Sequence, residues 1–133
     1  MTVADALNDW LALEHEAVWL FPVVGARFDA LRDRATEAFE THRDTRDALL
    51  ARLDQQQVEP VTSSLTYATG PLTTVGEARA AVQSLEARVS AACLELVGVT
   101  EGDDRSHAAR NLTRSALAEV SWGAAPRAFP GLP

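Results

Sequence analysis

Lysine is missing from this 133-residue chain: all twelve basic residues are Arg, set against nineteen Asp and Glu for a net charge of −7. Such a balance repels phosphate, and no Arg run gathers on one segment, so no nucleic-acid partner is expected. Cysteine occurs once, at Cys93, which excludes an internal disulfide and gives no sign of an oxidising compartment. Long apolar runs are lacking as well. The longest, Ala17 to Ala26, is about ten residues and contains Pro22, well short of the roughly 20 that span a bilayer, so no membrane association is expected. No basic segment followed by an apolar stretch and a small-residue cleavage site opens the chain, so cytoplasmic residence is the expectation. Gly-rich phosphate loops, Cys pairs and a Gly-x-Ser-x-Gly elbow are all absent, and no catalytic residue is assigned.

What is present is helical periodicity. With 47% apolar residues the chain can bury one core, and no segment alternates apolar and polar residues long enough to read as a strand, so the class is all-α. The first helix is expected from about Val3 to Phe28, with Thr2 and Asp5 at capping-box spacing and Leu7, Trp10, Leu11, Ala17, Phe21 and Val24 on its inner stripe. The second runs from about Ala30 to Gln56, capped by Asp29, with Leu31, Ala35, Phe39, Leu49 and Leu53 inward. Residues 57–73 carry Pro60, Gly70 and Pro71 and form an unusually long connection. A third helix starts at Thr74, where Glu77 completes a capping box, and ends at Gly98 to Gly102. A fourth begins near Asp104, with Ala108, Leu112, Ala116, Val120 and Gly123 as its inner stripe. A four-helix bundle over residues 1–125 is thus expected, with a non-helical tail over 126–133 that contains Pro126, Pro130 and Pro133. Seventeen residues reach about 50 Å, longer than a 25-residue helix at about 38 Å, so the connection favours a crossover between helices 2 and 3 over a simple hairpin.

Each helix also carries one polar residue on its apolar stripe: Glu14, His42, Glu86 and Glu119. Counted from the two short turns, Glu14 and His42 differ by about 3 Å of rise and Glu86 and Glu119 by less, which places all four in one layer. Buried and unpaired, such groups would cost several kcal/mol, so something must compensate them. Oxygen ligands with an imidazole suit Fe, Mn or Zn. Arg43 and Arg46, with Arg88 and Arg110 also nearby, offer ion pairs instead.

Leu13-Glu14-His15-Glu16-Ala17, Thr41-His42-Arg43-Asp44-Thr45-Arg46-Asp47, Tyr67, Leu85-Glu86-Ala87-Arg88-Val89 and Trp122 together resemble a family of uncharacterised ferritin-like domains from GC-rich bacteria. The resemblance implies a ferritin-like fold with no assigned activity. Di-iron proteins of that fold take a Glu from each of two helices and Glu-x-x-His from the other two. Glu14 and Glu86 match the first pair, but Phe39 stands three before His42 and Trp122 three after Glu119, so the site is degenerate.

The reading is a non-catalytic bundle whose polar layer, Glu14, His42, Arg43, Arg46, Glu86 and Glu119, is structural and holds no cofactor. The alternative is an Fe- or Mn-binding ferritin-like oxidoreductase using Glu14, His42, Glu86 and Glu119. A third reading, a small-ligand binding bundle, requires a cavity beside Trp10 and Trp122. His15, about 100° around the helix from Glu14, reads as a surface or subunit contact, His107 as an ordinary first-turn histidine and Cys93 as core packing. Val18-Trp19-Leu20-Phe21 with Val23 and Val24 is apolar all round, so either the connection covers it with Leu65, Tyr67 and Leu72, or a second copy does, giving a homodimer.

Overall fold

The computed structural model describes residues Met1–Pro133. It contains four long helices and no strand: α1 (Val3–Arg27), α2 (Arg32–Gln55), α3 (Val75–Val99) and α4 (Gly102–Ser121). α1 packs on α2 and on α3, and α3 packs on α4, in a helical bundle. No helix is long and apolar enough to cross a membrane.

Local chemistry sets the helix starts. The Thr2 hydroxyl accepts from the Asp5 amide at 3.1 Å, and the Asp5 carboxylate accepts in return from the Thr2 amide at 2.9 Å, so two of the four orphan donors at the helix start are paired. Thr74 caps α3 by accepting from the Glu77 amide at 3.1 Å, and the Glu77 carboxylate reaches one residue further back, to the Thr73 amide at 3.2 Å. The expected Asp29 cap does not form. Residues Asp29–Leu31 make a 3-10 turn without a side-chain cap, and the Asp29 carboxylate pairs with Arg32. Phe28 holds the extended N-cap place of that turn, and Asp29, already inside it, cannot cap.

The core is built from the inward stripes of α1, α2 and α3, where Trp10, Leu11, Phe21, Leu31, Leu49, Leu53, Leu85 and Leu96 are fully buried. α4 departs from the expected stripe. Its buried positions are Ala108, Asn111, Ser115, Glu119 and Trp122, while Leu112 is half-buried and Val120 is 42% exposed. The inward face is turned by about one residue, and small and polar side chains rather than apolar ones line its contact with α3.

The connection lies along α1. The Asn8 amide group donates to the Glu59 carbonyl at 3.2 Å and accepts from the Val61 amide at 2.8 Å; further on, the Tyr67 ring stands 5.7 Å from that of Trp19, and the Arg27 guanidinium reaches the Leu72 carbonyl at 3.5 Å. Residues 59–72 thus follow α1 from its first turns to its last residue. Tyr67 covers Trp19 of the all-round apolar segment from within the chain and Leu72 is buried in the core, whereas Leu65 is 96% exposed and takes no part. His15 meets this connection, with Nε2 3.0 Å from the Val61 carbonyl.

Beyond Ser121 the tail turns back on α3 and α4. Gly131 has φ of +89°, and a Cβ there would come within 2.9 Å of the Ser90 carbonyl oxygen and 3.1 Å of Leu94 Cβ. Gly131→Ala is expected to detach this segment at a cost of about 1–3 kcal/mol locally. Limited proteolysis checks this: faster trimming of residues 126–133 than in the parent chain, with the bundle unaffected.

Candidate functional site

The polar layer is assembled by three helices. On α1, Trp10 and Glu14 stand one turn apart, and the Trp10 indole Nε1–H donates to Glu14 Oε1 at 2.8 Å. Glu14 Oε2 lies 2.6 Å from His42 Nδ1, and His42 Nε2 lies 2.5 Å from Glu86 Oε1 on α3. All three side chains are buried, at 0%, 3% and 2% exposure. The Phe21 ring stacks on the imidazole at 5.3 Å and 17°. Glu14, His42 and Glu86 therefore form one chain of hydrogen bonds across the core.

A carboxylate oxygen can only accept, so an imidazole flanked by one at each nitrogen must donate from both, which makes it imidazolium. Burial opposes that charge, but Glu14 and Glu86 together more than reverse it, raising His42 from 6.5 to about 10. The proton is thus held throughout the neutral range. Glu86 Oε2 is buried and has no partner.

Glu119, Arg43 and Arg46 stand outside this chain. Glu119 is buried on α4, but its Oε1 accepts from Arg127 of the tail at 2.6 Å. Its pair with Arg127 replaces the expected place in the layer, and it makes no hydrogen bond with Glu14, His42 or Glu86. Arg43 lies 3.5 Å from Asp44 and Arg46 3.0 Å from Asp47. The expected Arg compensation of the layer is thus corrected: His42 itself supplies the cation, and both Arg side chains turn toward acidic neighbours nearer solvent. Arg88 does pair across helices, bidentately with Glu16 of α1 at 3.2 and 2.5 Å.

Glu14, His42 and Glu86 are arranged for hydrogen bonding to one another. An ion needs each ligand atom at about 2.0–2.3 Å, hence roughly 4 Å between ligand atoms on opposite sides of it, whereas both nitrogens of His42 meet carboxylate oxygens at hydrogen-bond distance. Nowhere do three or more His, Cys, Asp or Glu side chains converge as an ion would require. Cys93 is no nucleophile either, because burial, with Glu14 next, pushes its thiol up. His107 leans on Trp10 at 5.4 Å, and burial followed by Arg52 and Arg110 lowers its pKa.

A cleft opens onto the layer between α2 and the C-terminal half of α4. It encloses about 240 Å³, has His42 and Glu86 on its floor and is walled by Trp122. Arg34 stacks on Trp122 with its guanidinium carbon 4.4 Å from the ring centroid and donates to the Ser121 carbonyl at 2.6 Å. Arg114 donates from Nη1 to Thr45 Oγ1 at 3.0 Å, while its buried Nη2 has no partner. Neither Arg34 nor Arg114 stands out in the sequence, since both lie off the apolar stripes; a count of polar residues on the inner turns of α4 would have pointed to Arg114.

Four helices closed around a buried Glu–His–Glu chain define an all-helical protein with a proton-bridged core. Residues 6–133 match the family described as Domain of unknown function (DUF4439), and the chain belongs to it. Its structure is similar to the crystal structure of a conserved hypothetical protein, rv2844, from Mycobacterium tuberculosis, with a TM-score of 0.84 and 25% identity over 90% of this chain and 93% of that one. No curated protein is significantly similar in sequence.

Proposed function

We propose that this protein is a non-catalytic bundle of ferritin-like type, with a crossover between α2 and α3, in which a proton on His42 holds together the layer that di-iron relatives of such a fold build around metal. The course of residues 59–72 along the length of α1 supports the crossover. The observation that carries the metal-free reading is the occupation of both His42 nitrogens by Glu14 and Glu86 at 2.6 and 2.5 Å. A bundle so locked offers neither an open coordination position nor an activated nucleophile, and its role is structural or binding. Cytoplasmic residence belongs to the same reading, supported by the single, buried Cys93. A homodimer remains part of the reading, since Tyr67 covers only Trp19 of the apolar segment of α1.

The test is metal analysis of the full chain after incubation with ferrous iron and with manganese at pH 7. The expected content is far below one ion per chain. Near-stoichiometric metal that disappears in His42→Ala would overturn this reading in favour of an Fe- or Mn-binding layer, the first requirement of the alternative, a ferritin-like oxidoreductase.

A further inference from the structure

We propose that the cleft between α2 and α4 binds a small zwitterion of α-amino-acid size, its ammonium group taken by Glu86 and its carboxylate by Arg114 with Arg34 at the mouth. Two residues that line this cleft each carry a buried polar atom without a partner, one an acceptor and one a donor: Glu86 Oε2, on a side chain 2% exposed, and Arg114 Nη2. Each is anchored elsewhere, Glu86 through Oε1 to His42 at 2.5 Å and Arg114 through Nη1 to Thr45 at 3.0 Å, and the two form no ion pair with each other. A buried polar atom left without a partner is costly, so a molecule that donates to one and accepts from the other relieves both.

Charge selects among the candidates. The two carboxylates and one imidazolium of the layer sum to −1 and Arg114 adds +1, while Arg34 and Glu37, which also line the cleft, cancel each other, so the surroundings are neutral as a whole. A simple cation or a simple anion would unbalance them, whereas a molecule carrying both charges keeps the balance. Size points the same way, because about 240 Å³ falls below the roughly 300–1,000 Å³ of drug-sized ligand sites. The Trp122 face and the Ala38 and Ala118 methyls leave an apolar wall for a short side chain. The charge count rests on the protonated, metal-free layer; failure of that reading would show as bound metal, failure of this one as an absent response to amino acids.

The experiment is a titration of the full chain followed by two-dimensional NMR of the Trp122 indole N–H and the Arg114 Nε–H. The probes are glycine, L-alanine and L-serine, beside methylammonium, acetate and acetamide, each of which offers only part of the recognition. At least one amino acid is expected to give saturable shifts of both signals with half-saturation below about 1 mM, at least tenfold tighter than any partial probe. Arg114→Gln should weaken that binding at least tenfold, whereas Arg127→Gln, which alters the pair with Glu119 away from the cleft, should leave it unchanged. No saturable shift with any of the three amino acids up to about 10 mM would overturn the proposal. So would a partial probe binding as tightly as the amino acids, or an Arg114→Gln protein that binds like the parent.

Discussion

Glu14→Ala is expected to lower the midpoint of thermal unfolding by about 10–20 °C at pH 7. The Glu14 carboxylate receives two buried donors, the Trp10 indole at 2.8 Å and the His42 imidazolium at 2.6 Å. Removing it leaves a buried cation with one partner in place of two and a buried N–H with none. Breaking a buried pair in this way costs about 3–5 kcal/mol, an unpaired indole N–H belongs to the same loss rather than adding fully to it, and 1 kcal/mol moves the midpoint of a domain this size by about 3–5 °C. Differential scanning calorimetry provides the measurement. The sharper contrast is the triple replacement Glu14→Leu, His42→Leu, Glu86→Leu, which removes all the charges together and is expected to stay within about 2 kcal/mol of the parent or exceed it. A Glu14→Ala midpoint within about 3 °C of the parent would mean that the chain of hydrogen bonds contributes little to stability.

The sequence made the layer legible because a charged residue on an apolar stripe conflicts with its surroundings, and Glu14, His42 and Glu86 each do so at mid-helix. Their pairing was less legible. Height along a bundle follows from residue counts, but the direction a side chain takes around the helix axis depends on how each helix is rotated, and α4 is rotated one residue from its apolar pattern. Glu119 is taken up by Arg127 of the tail, which no residue count along α4 could show, and Arg114 lines the cleft. The helix starts at Thr2 and Thr74 follow from local chemistry within four residues and so were readable from the sequence. The Asp29 cap was not, because the chain is already turning at Asp29, inside the 3-10 turn that precedes α2, and lacks the extended backbone a cap requires. The Arg compensation failed for a separate reason: Arg43 and Arg46 each have an acidic neighbour one position away at the surface, which spares them the desolvation that joining the layer would exact.

Stability is expected to fall as pH rises from neutrality, the reverse of the acid loss that paired carboxylates produce. The group responsible is His42, raised from 6.5 to about 10 in the folded protein by Glu14 and Glu86 against the opposing effect of burial. Below about pH 6.5 the imidazole is protonated in both the folded and the unfolded chain, and its full stabilising contribution is present. Between about 6.5 and 10 the unfolded chain has released this proton and the folded one has not, so each pH unit removes about 1.4 kcal/mol. From pH 7 to 9.5 the loss amounts to about 3 kcal/mol, visible as a lowered urea midpoint at unchanged slope. Above the folded pKa the imidazole is neutral, one of its nitrogens has no proton to donate, and two buried carboxylates face a ring that can satisfy only one. The triple leucine variant isolates the effect, because it lacks the titrating group and should show a midpoint independent of pH over the same window, apart from changes it shares with the parent. A parent protein as stable at pH 9.5 as at pH 7 would mean that the folded layer holds no proton that the unfolded chain has released, and the proton-bridged core would have to give way to a neutral imidazole between two ionised carboxylates.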